Sequence, residues 1–480
     1  MPRILFALLI AFLLKANARP SEGLYNQYID YQINSGNYIP DFVLSQPYFY
    51  DIRAFKSNPA LVKYMLRTMD YDSSEMNFGA SLTSRNEMRY AGQDGLFRFG
   101  MDGSLYFRAP YITLVNRTTV DNDYRRDPLF AGDLSESQDW LYGRVNEAYI
   151  HLDFKPFGIF FGRTKRNWGM PAEYSLILSD WAYSYDHFLF TYTYKVFRLS
   201  LLFARLEQVD ALDDTLPGEI IENSNKFLTG HRLDIAFSKS FQMAFSEMAV
   251  YGGAERDLEP AFLNPMTFYY PLQRNDQLSM NGLWAMDIFY KPLAPLTLYA
   301  QFLLDDIIVN NDPEVDDRSN LPDRLALITS IRSADLPLKG LNTSLTYTRV
   351  WNRTYQSRRT WENYHYRGLG LGYPCASCEE LKLNFDYWGF FPFWFKNNAV
   401  FGRYGSVSIS DLFPLVHESF PVSPARNIFF NELRAHYFFN PQFDMYIKIR
   451  FTDKPGHYLN RIEKSRGWIF TTGLSFRLGQ

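Results

Sequence analysis

Cysteine is nearly absent from this 480-residue chain, which carries two, Cys375 and Cys378, in a single C-x-x-C. Two thiols cannot complete a four-ligand zinc site, and no strand-helix-strand pattern surrounds them to suggest a redox centre. A small disulfide in a tight turn is the plainer reading in an oxidising compartment. Charge of one sign is lacking too: 49 Lys+Arg stand against 52 Asp+Glu, a net charge of -3. No global field exists to hold a nucleic acid, and no nucleic-acid partner is expected. The 7 histidines are scattered, and neither H-E-x-x-H nor G-x-S-x-G occurs. No catalytic constellation, metal site or cofactor is expected, so the chain does not read as an enzyme. Gly368-Leu-Gly-Leu-Gly372 has no helix behind it, and reads as a strand with glycines on one face rather than a phosphate loop.

Long apolar runs are missing as well. Ile4 to Leu14 is apolar but too short to span about 30 Å of hydrocarbon. With Arg3 before it and Ala16-Asn17-Ala18 after it, this stretch has the form of a secretory signal peptide over 1–18. Beyond it no stretch approaches the length and apolarity of a spanning helix. Neither cysteine follows the leader, so a lipoprotein's acylation site is missing and anchoring falls to the fold.

What the chain has in excess is aromatic side chains, 18% of residues, with 34 Tyr, 42 Phe and 9 Trp. Aromatics line both interfaces of membrane barrels. Mean hydropathy is -0.27, as expected of strands with one lipid face and one wet face. Strict alternation recurs along the chain. Trp468, Phe470, Thr472, Leu474, Phe476 and Leu478 share one face, and Ile469, Thr471, Gly473, Ser475 and Arg477 share the other. Met445, Ile447, Ile449 and Phe451 alternate with Tyr446, Lys448, Arg450 and Thr452 in the same way, as do segments around Leu383 and Leu233.

Alternation alone suits a soluble sandwich equally well. The connections separate the two folds. From Gly143 onward, short links at Lys155-Pro156, Lys195, Ser238 to Ser240, Pro292 to Pro295 and Asp335 to Lys339 alternate with long ones at 164–185, 207–230, 252–283, 305–324 and 351–366. Up-and-down barrels have this rhythm and Greek-key sandwiches do not. The expected fold is all-β: a transmembrane antiparallel up-and-down β-barrel of about eighteen strands over residues 76–480. Residues 19–75 form an N-terminal segment with a short helix, plugging the lumen or lying at the periplasmic mouth. Asn58-Pro59 followed by Leu61, Val62, Met65, Leu66 and Met69 places that helix. Outer-membrane lipid is the expected surroundings, and the bacterial outer membrane the expected location.

Two loops are dense in candidate residues. On the long-loop side, Trp351, Tyr355, Trp361, Tyr364 and Tyr366 interleave with Arg353, Arg358 and Arg359. Aromatic faces stack on sugar rings and arginine forks bind carboxylates, so an acidic polysaccharide fits; an aromatic girdle running past the membrane edge fits as well. The second stretch, Gly162 to Ala182, begins with Arg163, Lys165, Arg166 and Trp168, and is apolar enough to fold back into the lumen as a constriction.

Gly162-Arg163, Trp168-Gly169, Ser175-Leu-Ile-Leu-Ser179, Gly230-His-Arg-Leu-Asp234, Phe245-Ser-Glu247, Leu263-Asn-Pro-Met-Thr-Phe-Tyr269, Asn281-Gly282 and Leu298-Tyr-Ala-Gln-Phe302 follow one another in order. In these the chain resembles the capsule-assembly Wzi-type outer-membrane proteins. The resemblance implies an eighteen-stranded barrel, a helical portion toward the periplasm, and a lectin-like, non-catalytic role holding surface or capsular polysaccharide. Two alternatives stand beside it. One is a porin whose lumen charges, among them Lys448, Arg450, Arg477 and Asp386, set selectivity. The other is a surface adhesion or motility component.

Overall fold

Strand residues two apart point to the same side of a sheet, so each alternating segment acquires one lipid face and one lumen face once the sheet closes on itself. The structure is a computed structural model, describing residues 22–45, 76–92, 94–122, 142–212, 220–306, 323–414, 418–440, 442–454 and 466–478. The expected leader and the helix expected over 58–69 lie outside the described residues. The first half of the wall comprises β1 (Asn77–Ala91), β2 (Asp94–Ala109), β3 (Ile112–Asp121), β4 (Tyr142–Phe154), β5 (Phe157–Thr164), β6 (Tyr185–Tyr194), β7 (Phe197–Arg205), β8 (Ile220–Ala236) and β9 (Phe241–Gly253). The second half comprises β10 (Asn281–Leu293), β11 (Leu296–Asp306), β12 (Arg324–Ala334), β13 (Leu341–Val350), β14 (Cys378–Tyr387), β15 (Phe393–Tyr404), β16 (Arg426–Asn440), β17 (Phe443–Thr452) and β18 (Gly467–Leu478).

Every neighbouring pair is antiparallel, and β18 returns to β1 with Leu82 opposite Leu478 and Ala91 opposite Ile469. The result is the expected closed barrel of 18 strands. Closure matters because no water is available within lipid to pair an open strand edge. In β18 the pattern is complete: Trp468 is 57% exposed and Phe470 points outward beside it, whereas Ile469 and Thr471 are each 1% exposed in the lumen.

The expected rhythm of connections is present. The even-to-odd links, from Pro110-Tyr111 to the β16–β17 turn, gather at one end, and the long loops at the other. The β1–β2 hairpin is the exception, since it turns tightly from Ala91 to Asp94 on the long-loop side. The loop expected over 351–366 extends to Cys378, where β14 begins. Gly368–Gly372 is no wall strand: only Leu369–Gly370 pairs, with His365–Tyr366, inside this loop.

A helix precedes the barrel at α1 (Glu22–Asn34), upstream of the expected one. It sits against the short-turn end. Tyr28 meets Trp388 edge-on at 5.0 Å, the Tyr31 hydroxyl donates to Asp335 at 2.9 Å, and Lys291 donates to the carbonyl of Asn34. The chain after it stays in the lumen, where the Val43 N–H donates to Gln242 at 2.8 Å and Arg232 donates to the carbonyl of Leu44 at 3.2 Å.

An arginine placed on the lipid face near mid-strand should destabilise the barrel by about 2–4 kcal/mol. We expect Phe470→Arg to show that loss in urea unfolding from lipid vesicles, and the neighbouring lumen substitution Thr471→Ser to show little change.

Candidate functional site

The two candidate loops fold into the lumen and bind each other there. In 165–184, Leu176, Ile177 and Leu178 are fully buried, and Gln301 of β11 receives the Leu176 N–H at 2.6 Å while donating to the carbonyl of Trp168 at 3.1 Å. From 351–377, the Tyr355 hydroxyl donates to the carbonyl of Leu176 at 2.8 Å and the Tyr364 hydroxyl to that of Ile177 at 2.5 Å. The Ser179 N–H donates to the carbonyl of Leu371 at 2.7 Å. Gly372 is required at this seam, because a Cβ there would lie 2.1 Å from the carbonyl oxygen of Leu176.

A chain of alternating charges ties this plug to the wall and to α1. Glu173 accepts from Lys382 of β14 and lies 3.4 Å from Arg332 of β12, and Arg332 pairs in turn with Asp30 of α1. Thr346 and Asn342 of β13 donate to the two carboxylates at 3.3 and 3.0 Å. Burial alone would raise both acids. Glu173, flanked by two cations, is held below its ordinary value; Asp30, with one cation, is pushed above it by burial.

The eight candidate residues of 351–366 divide by depth. Tyr355 and Tyr364 are fully buried, Trp361 and Tyr366 nearly so, and the stacked Tyr355–Tyr364 pair has centroids 5.9 Å apart. Their faces pack within the plug, where no sugar ring reaches them. Arg353 holds Glu418 with two hydrogen bonds, at 2.6 and 2.8 Å. Arg359 pairs with Glu362 at 3.2 Å and with Ser279. Trp351 is half-buried beneath the guanidinium of Arg349, 4.7 Å from its ring, and Arg358 is exposed.

The candidate constriction residues divide likewise. Arg166 and Trp168 lie inside: Arg166 donates to His187 at 2.7 Å, and Arg232 sits over the Trp168 ring at 5.6 Å. Arg163 pairs with Asp186 on the outer face, and Lys165 is exposed, donating to the carbonyl of Asp180 at 3.1 Å. Cys375 and Cys378 form a disulfide at the end of the second loop.

A second buried cluster fastens the loop near its tip. Lys226 of β8 lies 3.5 Å and Glu207 3.6 Å from Nδ1 of His365, and Glu207 accepts the Arg367 N–H at 2.8 Å. Burial, and then the charge of Lys226, push His365 down to about 4. Burial opposes the Glu207 carboxylate, but Lys226, His365 and the Arg367 N–H hold it at about 2.

Residues 73–374 match the family model of the capsule assembly protein Wzi. The chain belongs to the Wzi capsule-assembly family. No curated protein matches it in sequence. In fold this Wzi family member is similar to a solved structure from Escherichia coli, described as Wzi, an outer membrane protein involved in group 1 capsule assembly and a carbohydrate-binding β-barrel. That similarity has 12% identity and a TM-score of 0.61, covering 96% of this chain and 99% of that one. Two Pseudomonas aeruginosa barrels, OccK8 (OprE) and OccK2 (OpdF) in complex with glucuronate, are looser matches. Their identities are 9% and 10% and their TM-scores 0.48 and 0.47, each over 84% of this chain and 98% of theirs. This family member is an outer-membrane barrel.

Sequence reasoning missed Asp30, Glu173, Glu207 and Glu418, whose partners lie far away in the chain and which no local pattern marks; Gln301 stood in a stretch of the family resemblance without an assigned role.

Removing Glu173 leaves buried Lys382 without its carboxylate and Arg332 with Asp30 alone, a loss on the order of 3–5 kcal/mol. Glu173→Ala should therefore speed hydrogen exchange in both 165–184 and α1. Acidification should act on the other loop. His365 is held below its unfolded value, so the unfolded form binds more protons, and stability falls as pH drops from about 6.5 to 4. Hydrogen exchange over 360–370 should rise through that window, and His365→Gln should flatten the response.

Proposed function

We propose that this Wzi family member binds surface or capsular polysaccharide and helps assemble or retain it at the cell surface, as a lectin-like barrel that performs no catalysis. The observation that carries the reading is the pair of loops locked together in the lumen. Such a plug favours a fixed outward-facing surface over a solute path. Two of the three lumen cations named for selectivity are also neutralised in place: Arg450 lies 2.7 Å from Glu432, and Arg477 2.6 Å from Asp444.

On this reading the residues that meet the polymer are Arg358 and Trp351, with Arg353 and Arg359 beside them. Buried Tyr355, Trp361, Tyr364 and Tyr366 hold the loop in shape behind them. Arginine forks suit the carboxylates of an acidic polysaccharide, and an indole face suits a sugar ring. Single sites of this kind are weak, and many barrels engaging one polymer supply durable retention. Residues 1–18 act as a cleaved export signal, and Arg166 and Trp168 narrow the lumen from within the plug.

The test is Trp351→Ala together with Arg358→Ala, read by binding of purified barrel to native surface polysaccharide. Loss of one stacking contact and one charged contact, of roughly 1 kcal/mol each, weakens binding on the order of tenfold or more. The heat-modifiable gel shift should be unchanged. Full glycan binding by the double variant removes this loop from the site. Steady open-channel current in a planar bilayer restores the solute-channel reading.

A further inference from the structure

Three of the stretches that carry the family resemblance meet outside the barrel, away from the plug. Near its end the β9–β10 connection meets the plug loop, where Arg359 donates to Ser279, but its middle takes another course. It folds down over the outer faces of β7, β8 and β9, through a 3-10 turn at Pro260–Leu263 and helix α2 (Tyr269–Asn275). Phe262 stacks on outward-facing Tyr251 at 4.4 Å, and Thr229 of β8 donates to the carbonyl of Phe262 at 2.9 Å. Phe227, Ala249, Leu272 and Met280 complete a small core built on the exterior of the sheet.

The fastener is an acid on the lipid side of the wall. Glu247 of β9 lies between His231 and Trp284 in the register of the neighbouring strands. It accepts from the indole of Trp284 at 2.6 Å and the N–H of Tyr269 at 3.0 Å, and lies 3.1 Å from the His231 imidazole. It stands six positions along the strand from Phe241 at the short-turn end. At about 3.3 Å per residue and a tilt of roughly 40°, that is about 15 Å of height, inside an apolar band about 25 Å tall. A polar row at this level would face hydrocarbon if it were bare. The flap buries Glu247 and, in its place, presents Met266, Phe268 and Tyr270, which are 82%, 67% and 50% exposed. This apolar surface runs on into the lipid-facing wall: Tyr270 meets outward Trp284 edge-on at 6.0 Å, and Phe245 stands exposed below.

We propose that the flap, Glu259 to Asn275, is a membrane-embedded element whose Met266, Phe268 and Tyr270 contact acyl chains of the outer leaflet, with Glu247 as its anchor. The inference rests on the membrane-spanning fold and is independent of glycan binding.

The test uses the full barrel in phosphatidylcholine vesicles, labelled with a nitroxide at Met266→Cys or Phe268→Cys without reductant, so that the native disulfide takes no label. Power saturation compares access by oxygen, which partitions into lipid, with access by a water-soluble nickel chelate. Phe245→Cys and Lys239→Cys are the lipid-facing and turn references. The oxygen-to-nickel ratio at 266 and 268 should match that at 245 and exceed that at 239 several-fold. A ratio matching 239 overturns the proposal. So does dipolar broadening at 268 that disappears on dilution with unlabelled protein, since a second copy would then cover the flap. In a Glu247→Ala background that keeps its heat-modifiable shift, the ratio at 268 should fall several-fold; an unchanged ratio overturns the anchoring role.

Discussion

Arg332 is the point on which the interior depends. Its guanidinium reaches Asp30 from the segment before the barrel and Glu173 from a loop entering at the opposite end, while Lys382 takes the far side of Glu173. Two carboxylates and two cations alternate, so the buried row is neutral in sum although each member is costly to dehydrate. Such an arrangement contributes little net stability against an apolar core, but it is strongly selective. A helix or loop seated one step out of place would leave an uncompensated charge in the wall. The geometry of the plug is thereby set by the wall strands β12 to β14 rather than by the loops themselves.

Around this interior the closed sheet divides the residues into three populations: lipid-facing side chains, lumen-facing side chains, and loop residues drawn into the lumen. The third group, with Leu176, Ile177, Leu178, Tyr355 and Tyr364, joins lumen-facing wall residues such as Phe289 and Leu303 and Tyr28 and Ile29 of α1 in the main apolar core. The barrel is therefore built around packed protein, and its outward function falls to what remains at the surface. The flap over β8 and β9 repeats the logic outside, covering polar groups of the wall with a segment whose own exposed face is apolar.

Period-two alternation and the rhythm of connections were legible because both are local, and β18 matches its reading residue by residue. Helix α1 was not legible. Its Asp30, Gln32 and Asn34 are buried along with Tyr28, Ile29, Tyr31 and Ile33, so no exposed polar face sets off the apolar stripe that sequence reading seeks. Trp361, Tyr364 and Tyr366 look alike in composition whether they face a ligand or a core, and only the partner loop 187 residues from Tyr364 decides it. Arg163 was read into the lumen because the stretch as a whole turns inward. It is still a strand residue, however, and strand parity sends it outside to Asp186.

The pairing of Asp30 with Arg332 joins residues 302 positions apart. The helix that carries Asp30 precedes every described strand of the wall, whereas its socket is made by strands and turns from the second half of the chain. Synthesis and placement thus run in opposite order. Helix α1 therefore has its full set of partners only once the strands of the second half of the wall are in place.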